Sequence, residues 1–229
     1  MSTLSLRKIK HDSSAVDNIT LVSDGTTGFG TTTPDGKVDI EVGSGVNLAL
    51  TKATGASLSF NDGSQTRAAF QGINGADGLT IHTGSTWTER MRIDAAGRVT
   101  TPYQPFFAGY HNNQYATTYT GGNVIPVSIA ITNTGNHFNT SNYTFTCPVD
   151  GIYEVIMSDI STASDTAGLG VYVNGSVKTK FYMQSVRQRF HASMFFASAN
   201  DAITFRVAEG SCTLYGDSNY GRYQIRLVG

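Results

Sequence analysis

Charge is scarce in this sequence. Only 14% of the 229 residues are charged, 16 basic against 17 acidic. That balance excludes the basic footprint of a nucleic-acid binder and the acidic run of a solvating tail. No apolar run approaches 18 residues, so no stretch reads as a membrane-spanning helix. The opening MSTLSLRKIKHDSS lacks the apolar core of a signal peptide, which predicts synthesis in a cytoplasm. In a reducing compartment the two cysteines, Cys147 and Cys212, are expected as buried thiols, although the sequence leaves a bridge between them open.

The signatures of chemistry are missing too. His11, His82, His111, His137 and His191 never fall at zinc-ligand spacing with one another or with cysteine. No Gly-x-Ser-x-Gly or Ser-x-x-Lys pattern marks a nucleophile. Gly28-Phe29-Gly30 precedes no Gly-Lys-Ser/Thr, so it is no phosphate loop. Glu154 and Asp159 have no partner acid at a readable spacing, so no glycosidase pair can be argued. The expectation is a non-enzymatic protein with no cofactor and no metal site. Asp165 and Asp217 fall in loops and are the residues to watch for an ion.

What remains is turn residues and alternation. Glycine occurs 25 times, and short apolar alternations recur between glycine-containing turns, the pattern of an all-β chain. From 31 to 102 the unit is a strand of two to four apolar residues and a turn. Val38, Ile40 and Val42 form one; Val46, Leu48 and Leu50 another; Leu58 and Phe60 a third. Phe70, Leu79 and Ile81, then Met91 and Ile93 continue it. Such strands bury little alone, so this segment reads as a β-meander or prism, a shaft shared between copies. Residues 1–30 hold one short strand around Ile19 and Leu21, and read as a docking segment. Pro102 and Pro105 mark a semi-rigid connector. Residues 103–229 then hold enough strands for a two-sheet jelly roll with its own core.

That last segment is organised around Phe138 to Met157. Tyr143, Phe145 and Cys147 alternate with polar residues, Pro148 ends the strand, and Asp150-Gly151 turns the chain. A second strand carries Tyr153, Val155 and Met157 on one face and Ile152, Ile156 and Ile160 on the other. Apolar residues on both faces predict a central strand with neighbours above and below. Phe145, five residues, then Gly151-x-Tyr153 resembles the signature of the complement-type head in the tumour-necrosis-factor-like superfamily. Val171-Tyr172-Val173-Asn174-Gly175, Ala199-Asn200-Asp201-Ala202-Ile203 and Tyr220-Gly221-Arg222-Tyr223-Gln224-Ile225 resemble later pieces of the same family, in order. The resemblance implies a homotrimer, with Phe190, Phe195, Phe196, Tyr223 and Ile225 as candidates for its core.

A second resemblance lies upstream. Gly28-Phe29-Gly30-Thr31-Thr32-Thr33-Pro34 and Glu89-Arg90-Met91-Arg92-Ile93-Asp94-Ala95-Ala96-Gly97-Arg98-Val99 look like units of bacteriophage tail fibres. They imply a virion appendage that docks on other phage proteins through its N-terminus and binds a glycan or protein of the host surface. The loop residues suited to that contact are Tyr115, Tyr119, Tyr182, Arg187, Arg189 and Tyr220, because aromatic and forked side chains give contact at low entropy cost. A purely structural decoration protein and a polysaccharide-degrading spike are the alternatives.

Overall fold

Alternation and turns become strands throughout. In the computed structural model, residues 8–9, 19–21, 27–29, 38–40, 57–61, 66–73, 78–112, 117–161, 166–184 and 188–229 are described, and none of them is helical. The chain divides into two compact units, residues 1–98 and 99–229.

In the first unit, β1 (Lys8–Ile9), β2 (Ile19–Leu21), β3 (Thr27–Phe29) and β4 (Val38–Ile40) form one sheet in sequence order. The pairing of β3 with β4 is parallel; the other pairs are antiparallel. The expected strand at Val46, Leu48 and Leu50 lies outside the described residues. Next come β5 (Ser57–Asn61), β6 (Thr66–Gly72), β7 (Leu79–Thr83) and β8 (Thr88–Ile93), an antiparallel meander. Successive residues of a strand face opposite sides, so the register sorts the meander into two faces. Leu58, Phe70, Ile81 and Met91 form an apolar row on one side. Ser57, Gln71, Thr80 and Arg92 form a polar row on the other. The Glu-Arg-Met-Arg-Ile-Asp-x-x-Gly motif is β8 and its turn. Glu89 and Arg92 pair through two bonds of 2.9 and 2.6 Å. Asp94 Oδ1 accepts from the amides of Ala96 and Arg98, closing a turn.

The second unit opens with β9 (Val99–Thr100) and holds two five-stranded sheets. The first contains β10 (Phe106–Tyr110), β12 (Ile129–Thr134), β15 (Gly151–Ile160), β18 (Gln188–Ala197) and β21 (Arg222–Leu227), in the order β12-β10-β21-β15-β18. The second contains β13 (Phe138–Asn139), β14 (Thr144–Thr146), β16 (Thr166–Val173), β17 (Ser176–Gln184) and β19 (Ala202–Glu209), in the order β13-β14-β19-β16-β17. A ribbon of β11 (Thr117–Thr120) and β20 (Ser211–Leu214) completes the unit. This is a jelly-roll β-sandwich. Tyr153, Val155, Met157, Tyr223 and Ile225 from one sheet meet Phe145, Leu169, Val171, Phe205 and Val207 from the other in one buried core.

The strand β15 is central, flanked by β21 and β18. Gly151, which begins it, has a packing reason. A Cβ there would stand 2.5 Å from Leu227 Cδ1 and 2.6 Å from the Gly229 carbonyl. Tyr153 is fully buried, yet its hydroxyl donates to the Val149 carbonyl at 2.8 Å, which is why a phenol is tolerated. Asn174 and Gly175 take φ +50° and +79° in the β16–β17 turn, the left-handed pair that a two-residue hairpin requires.

One local expectation shifts. Tyr143 does not continue the strand of Phe145. It sits at φ +59° in the turn that joins β13 to β14, because Phe138 returns to pair with Phe145. Val127 is buried before β12 begins, whereas Ile131 lies exposed on the sheet's outer side.

Candidate functional site

The head has two ends, set by the direction of its strands. At one end Pro105 accepts from the Leu227 amide, and the Gly229 carbonyl accepts from the Ile152 amide. Asn174 and Asp201 join there as well, through a 2.6 Å bond. The chain therefore enters and leaves at this end. At the other end lie Tyr110, Ile160, Gln184 and Arg222, the opposite termini of β10, β15, β17 and β21.

The far end gathers the binding candidates. Tyr182, near the end of β17, is half exposed. Gly168 separates it from Glu209 in the cross-strand row, and having no side chain lets the two meet above it. Lys180 lies 5.5 Å from the Tyr182 ring centre and 3.4 Å from the Glu209 carboxylate. Hydrogen bonding to Tyr182 and then to Glu209 holds the Lys180 amine above its usual range. The bond from Tyr182, and then Lys180, holds Glu209 below the usual carboxylate range. Arg189 is exposed on β18, opposite Asp159. Tyr220 precedes β21, partly exposed, with its ring edge-on to Tyr215 at 5.2 Å. Tyr119 is less available, since it is half buried against the core. Tyr115 and Arg187 lie outside the described residues, as does Asp165. Asp217 caps its own turn, accepting from the Asn219 amide at 2.7 Å.

Beneath this end lies a buried polar cluster that spacing did not reveal. His111 Nε2 is 3.0 Å from Asp159 Oδ2, and the Tyr223 hydroxyl donates to the same oxygen. All three side chains are fully buried. Burial, then the Asp159 charge, pushes the Tyr223 hydroxyl far above its ordinary value. The partners stand 48 and 64 residues apart in sequence, so no motif could have joined them. His111 thus belongs to the interior. Asp159 Oδ1 also accepts from the Ile160 amide at 2.8 Å, so the carboxylate works as a structural tie among β10, β15 and β21.

The trimer-core candidates divide sharply. Tyr223 and Ile225 are fully buried inside the protomer's own sandwich, because the pleat of β21 turns them inward. They have no surface left to offer a partner. Phe190 and Phe196 point outward from β18, 69% and 57% exposed, with Met194 between them at 63%. Phe195 turns inward and packs against the core. Ile152 on β15 extends the outward stripe beside Phe196, and Glu154, salt-bridged to Arg226, interrupts it. On the second face of β15, apolar in sequence, Ile152 is exposed, whereas Ile156 and Ile160 are half-buried.

Residues 105–217 match the C1q domain family. They form a C1q/TNF-like globular domain. Solved structures similar to the chain carry only low identity. The globular domain of zebrafish complement 1qA protein is 12% identical, with 55% of this chain and 98% of that one covered at a TM-score of 0.44. Eiger TNF from S. frugiperda is 13% identical, covering 55% and 94% at 0.42. Murine APRIL at pH 8.0 is 14% identical, covering 55% and 99% at 0.46. No curated protein matches the chain. Among the described residues of the C1q-like domain and the preceding unit, no group of three or more His, Cys, Asp or Glu could hold a metal ion.

Proposed function

We propose that the chain is a homotrimeric attachment protein whose C1q-like head binds a ligand through the end opposite its connector. The observation that carries this is the placement of Tyr182, Arg189 and Tyr220 at the far end, while the chain enters and leaves at the near end. The outward stripe of Phe190, Met194 and Phe196 supports assembly, since a monomer would leave these side chains in water. Trimers are typical of the fold, and three weak sites on one particle raise the effective concentration of each.

The finer reading is a bacteriophage spike. It rests on the fibre-like motifs at 28–34 and 89–99. Residues 1–30 would dock on the particle, 31–102 would form the shared shaft, and the head would meet a glycan or protein of the host surface. The test is a pull-down of labelled full-length protein on host cells, beside a Tyr182→Ala, Arg189→Ala variant. Saturable binding that the variant loses, with its oligomeric state unchanged, is the expected result. Binding that survives the double substitution refutes the far-end assignment.

A further inference from the structure

The first unit holds a hollow that the head's role does not use. It measures about 220 Å³ and is lined by Gln71, Gly72, Ile73, Thr80, His82, Glu89 and Arg92. Drug-sized ligands occupy pockets of about 300–1,000 Å³, so this one admits a single small unit. Its lining comes from two adjacent polar rows of the β6–β8 meander. Gln71, Thr80 and Arg92 stand in one, and His82 faces Glu89 in the other.

The polar groups are fixed before any ligand arrives. The Glu89 carboxylate and the Arg92 guanidinium are locked side by side in a forked pair, with the Arg92 side chain 43% exposed. Thr80 donates to the Gln71 carbonyl at 3.1 Å, and His82 bridges Thr80 Oγ1 at 3.0 Å and the Trp87 carbonyl at 3.2 Å. Trp87, the only tryptophan of the chain, adjoins the hollow through two of its lining residues, His82 and Gln71. It is held at φ +54°, stacked on His82 at 5.3 Å, and 37% exposed. Its indole N–H reaches Gln71 Oε1 at 3.4 Å.

This combination selects a chemistry. A carboxylate and a guanidinium in contact present an acceptor and a donor side by side, which is what two neighbouring hydroxyls of a sugar require. Their charges cancel locally, so a free anion gains little. An aromatic rim offers an apolar plate to the C–H face of a pyranose. We propose that this hollow binds one neutral hexose unit of a glycan, a second site separate from the head. Its accessibility rests on the shaft reading above: the apolar row of Leu58, Phe70, Ile81 and Met91 turns to the shared axis, leaving the polar rows to solvent.

Because Trp87 is the only tryptophan, its emission reports the site directly. Full-length protein is titrated with the methyl glycosides of glucose, galactose and mannose, and with methyl glucuronide. The expected result is a saturable emission change for at least one neutral hexoside, with Kd on the order of 1 mM. Arg92→Ala should raise that Kd about tenfold or more, through loss of a charged donor. Glu89→Gln keeps the shape and guards against misfolding; it should weaken binding too. Ile131→Ala, exposed in the head, should leave it unchanged. No saturable change with any neutral hexoside, or a response to the glucuronide alone, overturns the proposal. A monomeric protein that still shows the hexoside response would refute the shaft reading while sparing the hollow.

Discussion

Removing the outward rings of β18 should dissolve the proposed trimer without unfolding the head. Phe190 and Phe196 are 69% and 57% exposed in the protomer. A buried aromatic ring removes about 200 Å² from water, so the two rings leave on the order of 250 Å² per protomer for a partner to cover. At about 25 cal/mol per Å² this is roughly 6 kcal/mol, an upper figure because covering is rarely complete. A loss of that size weakens association by about four orders of magnitude. The Phe190→Ser, Phe196→Ser double variant should therefore sediment as a monomer at micromolar concentration, where the proposal expects the parent to sediment as a trimer. Neither ring belongs to the core, so near-ultraviolet circular dichroism of the head should keep its folded signature. If the double variant holds its trimer with an unchanged dissociation concentration, the stripe is not the interface and the argument from exposed apolar area fails.

Three further outcomes follow from named contacts. Tyr223→Phe removes a donor from the buried Asp159 carboxylate and should cost about 1–3 kcal/mol, lowering the thermal midpoint by several degrees; an unchanged midpoint would mean that the carboxylate does not depend on Tyr223. Burial pushes the Cys147 thiol up to about 11 and the Tyr153 hydroxyl up to about 12. The unfolded chain ionises before the folded one, so stability is whole below about pH 9 and falls as pH rises towards 11; urea midpoints should decline over that range, less steeply in Cys147→Ala, and a flat profile would contradict the burial. Gly175→Ala places a side chain at φ +79° in the β16–β17 turn and should cost about 1 kcal/mol in chemical denaturation, whereas an equally stable variant would show that the turn adapts.

Much of the head was legible because its signals are local. Asn174-Gly175 and the alternation of β15 each determine a turn or a face over a few residues, and the structure places them accordingly, whereas Asp150-Gly151 is a bend whose glycine opens β15 without a left-handed φ. The double-sided apolar pattern of β15 was also informative: one face lies in the core, and on the other Ile156 and Ile160 are half-buried while Ile152 is exposed. What eluded the sequence is inherently non-local. Phe190 and Phe195 look alike in sequence, and only the pleat of β18 against β15 decides which faces outward. Tyr223 and Ile225 were candidates for the trimer core on the family resemblance, which does not tell how deep β21 lies. The union of His111, Asp159 and Tyr223 depends on three strands meeting, which no spacing encodes. Hydrophobic alternation also carried no hint of the β11–β20 ribbon, whose strands are mostly threonine, serine and one tyrosine.

The shared entry and exit of the head has a practical consequence. Gly229 lies beside Gly151, and β15 then runs ten residues to the other end, about 30 Å. A fluorophore, affinity tag or displayed peptide fused after Gly229 would emerge next to the connector, a strand's length from Tyr182 and Tyr220. Labelling after Gly229 should leave the contact end unobstructed. A cargo meant to block that contact belongs instead in the segments around Tyr215 to Tyr220.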